Sequence, residues 1–245
     1  MTSISDLSWS ETSFRAKLEL FSKSRKDNEL NLSSTDRWVR AKGYSALSST
    51  YYSIYRTALA QLKAAFQSGW RAPARTVAWC FTWLPLAVVC YSRALPCSNR
   101  AVKLMGGYGK MTAGMCNIRQ SVLRSHFKYA EAKRCITEAL NKRLVEAHTR
   151  GHLHVGRADI YWHEGSRFSG RCRRRNLVIR EVQAAINAAK EAEKEEPRQA
   201  ARIFWHSARF LDRISKNKTE VNQLRERARL LAEKTGAKDQ SFKMI

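Results

Sequence analysis

Apolar side chains along this chain recur every three or four residues, and no stretch alternates apolar and polar at every second position for long. That period is the signature of helices with one buried stripe. Phe14, Leu18 and Phe21 predict a first helix over residues 11–26. Cap-type residues at 31–34 precede Asp36, Arg37, Trp38 and Val39, which predict a short helix ending near Gly43. Tyr51, Ile54, Tyr55, Ala58, Leu62 and Phe66 form one stripe of a helix over 48–67, broken at 69–73. An uncharged apolar segment follows at 76–92, then a Gly106, Gly107, Gly109 loop, then helical spacing over 111–123. Residues 130–148 place Ala132, Cys135, Ile136, Ala139, Leu140 and Leu144 on one face. The stretch 151–170 holds four glycines and no period, which reads as a linker.

Three more amphipathic helices come next. The first buries Val178, Val182, Ala185, Ile186 and Ala189; the second buries Ile203, Phe204, Phe210, Leu211 and Ile214. The third buries Val221, Leu224, Ala228 and Leu231, and Pro197 opens the second at a first-turn position. The pattern predicts an all-α protein: an N-terminal multi-helix domain (1–158), a basic hinge (159–175) and a smaller C-terminal helical domain (176–245). The expected N-terminal core comprises Leu18, Phe21, Trp38, Leu62, Phe66, Leu84 and Val88.

Composition agrees. Glycine (11) and proline (4) are scarce among 245 residues, and 44% of residues are hydrophobic, enough for a core and too many for a disordered tail. Charge adds more. Lys and Arg number 45 against 21 Asp and Glu, a net charge of +24. Between Asp36 and Glu131 there is no carboxylate, while those 94 positions carry 14 basic residues. From residue 165 onward, 20 basic residues face 10 acidic ones at helical spacings, as on solvated helices laced by ion pairs. A long basic stretch with no internal counter-charge calls for a polyanion, either nucleic acid or an anionic membrane. Arg71, Arg75, Arg93, Arg100 and Lys103 are its candidate face.

The densest basic cluster is Arg171, Arg173, Arg174 and Arg175, four arginines in five residues. At the start of a helix these oppose the macrodipole, so helix stability does not explain them; a phosphate-binding or nuclear-import patch does. The segment 76–92 is 17 residues long and contains Pro85, Trp79 and Trp83, so a buried core helix is expected rather than a membrane span. Six cysteines without CxxC pairs, and no early apolar run, predict free thiols and no secretory signal. None of the common hydrolase, P-loop, zincin or dinucleotide motifs occurs, so no enzyme is expected. His148 and His152 stand four apart, a spacing that can clamp zinc on one helix face, but no thiol pair anchors them. The plainer expectation is solvent-exposed or hinge histidines with no cofactor, and their titration near pH 6 offers a second reading, an acid-sensitive hinge.

Several stretches together resemble the matrix proteins of influenza viruses and their orthomyxovirus relatives. Residues 29–42 (ELNLSSTDRWVRAK) are similar to that family's run into a tryptophan helix followed by basic residues. Residues 101–104 (AVKL) resemble the start of its basic helix. Cys135 through the paired histidines of 148–152 (HTRGH) resembles its cysteine-histidine segment. Residues 169–171 (SGR) and 179–189 (IREVQAAINAA) resemble the opening helix of its C-terminal domain. There are departures. Residues 101–104 run into Met105, Gly106 and Gly107 rather than a Lys/Arg cluster, the second cysteine is missing, and the histidine pair is one residue wider. The resemblance implies a self-assembling, all-helical protein beneath a virion envelope that binds the anionic inner leaflet and viral ribonucleoprotein. It also implies passage through host cytoplasm and nucleus, with a viral nuclear export protein and importin as partners. Two other readings stay open: a basic helical RNA-binding structural protein of nucleocapsid or organellar ribosomal type, and a membrane-anchored accessory protein.

Overall fold

A computed structural model describes residues 14–68, 73–166, 174–214 and 217–236. Among them the fold is all-α, with no strand: α1 (Phe14–Leu32), α2 (Arg37–Ser68), α3 (Pro73–Met105), α4 (Ala113–Ser125), α5 (Tyr129–Leu140), α6 (Ala147–Ser166), α7 (Arg175–Ala192), α8 (Pro197–Ile214) and α9 (Lys218–Lys234). The chain forms two compact units that part between Met111 and Thr112.

In the amino-terminal unit α2 and α3 make an antiparallel hairpin. The Arg37 guanidinium donates to the Lys103 carbonyl at 3.2 Å and Ser48 Oγ to the Ala94 carbonyl at 2.8 Å. Tyr55 rests on Tyr91, and Leu62 packs with Trp83, so partners on α3 descend as α2 ascends. Asp36 starts α2: its Oδ1 accepts from the Trp38 N–H at 2.7 Å and its carbonyl from the Arg40 N–H.

The helix does not stop at Gly43. A Cβ there would lie 3.0 Å from Asn31 Cβ and 3.1 Å from Leu32 Cδ2, so this glycine serves the close approach of α1 rather than ending α2. Similarly, α3 runs through Pro85 and Pro96 to Met105, well beyond the apolar segment 76–92. Both rings lie on the exposed side, where water can satisfy the carbonyls whose helical donors they remove.

The core of this unit corrects the expected one. Leu62 is buried, but Trp38, Phe66, Leu84 and Val88 are exposed; the side chains of Leu18 and Phe21 fall outside the described residues. Small residues of α3 (Ala87, Cys90, Ala94, Ser98 and Ala101) face α2, together with Trp83, and let the two helices approach closely. Val77, Phe81, Leu84, Val88 and Val89 of α3 are exposed instead. Trp38, 43% exposed, is covered on one face by the Lys42 ammonium, 3.4 Å from the ring centroid.

In the carboxy-terminal unit the three final helices bury the stripes their spacing predicts, from Val178 on α7 through Phe204 on α8 to Leu231 on α9. Leu144 departs, lying exposed after the end of α5. The glycine-bearing stretch departs more. α6 continues unbroken to Ser166, across the boundary expected at 158 and into the expected hinge, and residues 167–173 fall outside the described residues. Gly151 and Gly156 are packing residues: a Cβ at Gly151 would meet Ile203 Cδ1 at 2.6 Å, and one at Gly156 would meet Gln120 Oε1 at 2.5 Å. Helix α6 is thus a central element of its unit, packed on α4, α5, α7 and α8.

Candidate polyanion interface

The candidate basic face is carried mainly by α3. Arg93, Arg100 and Lys103 are exposed on it. Arg100 lies over the Tyr44 ring and donates to its hydroxyl at 3.3 Å, which holds the guanidinium against α2. Arg71 and the side chain of Arg75 fall outside the described residues. Neither α2 nor α3 contains a carboxylate, so the positive field of this hairpin meets no counter-charge from its own helices.

A feature that sequence reasoning placed in the core shares α3 with these cations. Val77, Phe81, Leu84, Val88 and Val89 are all exposed, Phe81 at 79%. The spacing i, i+4, i+7, i+11 puts the first four within about 60° of one another on an ideal helix. Residues 76–92 therefore do not form a buried core helix; only the side toward α2 is internal. Cys80–Met105 is also long and apolar enough to cross a membrane, and just 22% of its most apolar window is buried. The hydrophobic signal was legible in the sequence. Its direction was not, because both faces of the segment carry apolar side chains.

The arginine cluster divides. Arg171 and Arg173 fall outside the described residues. Arg174 precedes α7, pairs with Glu164 of α6 and approaches the Tyr161 ring at 6.0 Å. Arg175 is the exposed first residue of α7. Elsewhere in the carboxy-terminal unit carboxylates pair with basic side chains, as the sequence suggests: Asp212 takes Lys218 and Arg225, Glu193 takes Arg227, and Arg229 bridges Glu226 and Glu233.

The histidines are not a hinge. His152 lies on α6, with Nε2 3.2 Å from Gln199 Oε1 of α8, and burial pushes its pKa down from 6.5 to about 4. His148 turns to Glu146 and Thr149 at 3.5 and 3.2 Å. Among the described residues no three His, Cys, Asp or Glu side chains come together to hold a metal ion.

Sequence reasoning missed one buried polar cluster. Glu181, 1% exposed, accepts from His154 Nδ1 at 2.7 Å and pairs with Arg157 Nε at 2.9 Å, joining α7 to α6. Burial opposes ionisation of this carboxyl, but the bonds to His154 and Arg157 outweigh it and leave the pKa below the ordinary value. The signal was present, since Glu181 sits three residues after Val178 and four before Ala185, on the apolar stripe of α7. A second buried pair is Cys116 and Cys135, the latter thiol donating to the Cys116 carbonyl at 3.5 Å. Contact with Cys116 and burial keep Cys135 protonated.

Fold and surface together define a class: an all-helical, strongly basic chain with a one-sided apolar hairpin. The chain matches no protein-family model, no curated protein and no solved structure.

Proposed function

We propose that this chain is a non-enzymatic structural protein of viral-matrix type, which assembles under an envelope and binds an anionic membrane leaflet and viral ribonucleoprotein. The observation that carries the reading is the α2–α3 hairpin, which exposes Arg93, Arg100 and Lys103 and has no carboxylate on either helix. Each basic residue close to an anionic leaflet contributes about 1 kcal/mol, so a few suffice for peripheral attachment. Arg171, Arg173, Arg174 and Arg175 are the second polyanion site, facing ribonucleoprotein phosphates or importin. The proposal includes self-association on the membrane and an accessory role in nuclear export of ribonucleoprotein, both carried by the resemblance of residues 29–42 and 179–189 to orthomyxovirus matrix proteins.

Liposome flotation tests this. The protein should float with anionic vesicles at low ionic strength, remain behind with neutral ones, and bind less when salt is present from the start. Equal flotation with neutral vesicles, or none with anionic ones, overturns it. One observation favours a second reading, the membrane-anchored protein: the apolar length of Cys80–Met105. A span would take Arg93 and Arg100 into the bilayer and pull Trp83, Ala87 and Cys90 away from α2. Alkaline carbonate extraction separates the two, since an anchored protein stays with the membrane pellet.

A further inference from the structure

We infer that the exposed apolar row of α3 is a membrane wedge, seated at the headgroup–acyl boundary of an anionic bilayer with the helix lying in the plane of the surface. The inference rests on the membrane-binding reading above and names the element that enters lipid. Three observations lead to it.

The first is shape. Val77, Phe81, Leu84 and Val88 line one side of α3 while Trp83, Ala87, Cys90 and Ala94 line the side packed on α2. At 1.5 Å per residue, Val77 to Val88 makes a row about 16 Å long. Such a helix already has its inner face satisfied by protein, so the outer row is free to enter lipid without unfolding the hairpin.

The second is charge. At about 100° per residue Lys103 comes round beside the row, while Arg93 and Arg100 lie on the other exposed flank of the helix, at least about 100° from each of the four row residues. An apolar row with cations on the adjoining polar flank is the arrangement of helices that lie in an anionic interface, where the apolar side sinks roughly 5–10 Å and the cations attract anionic lipid.

The third observation selects lipid over a second copy of this chain. A single row of four side chains is narrow beside the area that stable protein interfaces bury, on the order of 1,000 Å² or more. A second copy of α3 would also bring its own Arg93, Arg100 and Lys103 and no carboxylate to meet them. Anionic lipid supplies both the apolar phase and the counter-charge.

The test uses the full chain and monolayers of phosphatidylserine and phosphatidylcholine. Wild type should raise the surface pressure of the anionic monolayer. The double variant Phe81→Ser/Val88→Ser should abolish the rise and lower vesicle partitioning about a hundredfold, roughly a factor of ten for each large apolar side chain kept from lipid. It should still float with anionic vesicles at low salt. Circular dichroism and Tm of the variant should match wild type, because both positions are exposed; Phe81→Leu, which keeps the apolar row, should restore insertion. If wild type floats with anionic vesicles but leaves surface pressure unchanged, or the double variant inserts as well as wild type, the wedge is overturned and the electrostatic reading stands. If wild type does not float at all, the functional reading itself fails. If sedimentation shows that the double substitution turns a wild-type dimer into a monomer without changing insertion, the row belongs to self-association and the wedge is refuted.

Discussion

Acidifying the medium from pH 7 to pH 4 should cost the carboxy-terminal unit about 3 kcal/mol through one side chain, His152. Its pKa falls from 6.5 to about 4 because burial beneath α8 removes the water that would solvate the imidazolium. The groups facing it do not compensate: Gln199 supplies one hydrogen bond, while Arg202 on α8, His148 on α6 and Arg124 on α4 all disfavour a further positive charge. The sign follows directly. Above pH 6.5 the imidazole is neutral folded and unfolded, and contributes nothing. Between 6.5 and 4 the unfolded chain takes up a proton that the folded chain refuses, so stability falls by up to about 1.4 kcal/mol per pH unit. The accumulated loss is about 2 kcal/mol at pH 5 and about 3 kcal/mol at pH 4. Urea denaturation of wild type and His152→Gln at pH 7, 6, 5 and 4.5 isolates this contribution, because carboxylates such as Glu181 titrate in both proteins and cancel in the difference. The variant should lose less stability than wild type on acidification, by about 2 kcal/mol between pH 7 and pH 5. A difference that stays flat over that range would show that His152 is not held neutral, and the reasoning would fail.

Further outcomes follow from the packing and charge. Phe204→Ala should cost about 3–5 kcal/mol, since the ring is fully buried, whereas Trp38→Ala should cost under about 1 kcal/mol; thermal denaturation ranks the two. Gly151→Ala should destabilise by about 1–2 kcal/mol despite alanine's better helix propensity, because its Cβ would meet the buried Ile203 at 2.6 Å; a neutral or stabilising effect would return this stretch to a linker. Glu181→Ala should cost about 3 kcal/mol or more in denaturant, leaving the partly buried Arg157 and His154 without their carboxylate. Replacing Arg171, Arg173, Arg174 and Arg175 with Ala should flatten the log–log salt dependence of single-stranded RNA binding by about three, and an unchanged slope removes the cluster from the interface.

The helical period made most of the fold readable before any coordinates. Val182, Phe204 and Leu224 are buried where their spacing placed them. Glycine misled twice for one reason: at Gly43 and Gly151 its meaning is contact with a side chain distant in sequence or in another helix, which no local pattern encodes. The basic stretch was legible because charge needs no structure to be counted. What a linear reading could not give was orientation. Val88 and Ala87 are neighbours in an apolar segment, and which of them faces α2 is decided by how closely two helices can approach, a property of the pair. The imidazole of His152 is a similar case, since the covering residue, Gln199, lies 47 positions away.

The short connection between α2 and α3 has a consequence for synthesis. Contacts such as Leu62 with Trp83 join positions close along the chain, so this hairpin closes at a low cost in chain entropy and forms quickly. The hairpin leaves the ribosome before α6, and the largest core of the carboxy-terminal unit forms only once α6, α7 and α8 have all emerged. For several seconds at ordinary elongation rates, the nascent protein is therefore a finished cationic hairpin with bare valines and a phenylalanine, tethered to a particle made largely of RNA. On the polyanion-binding reading proposed above, the first polyanion this surface meets is the machine that makes it.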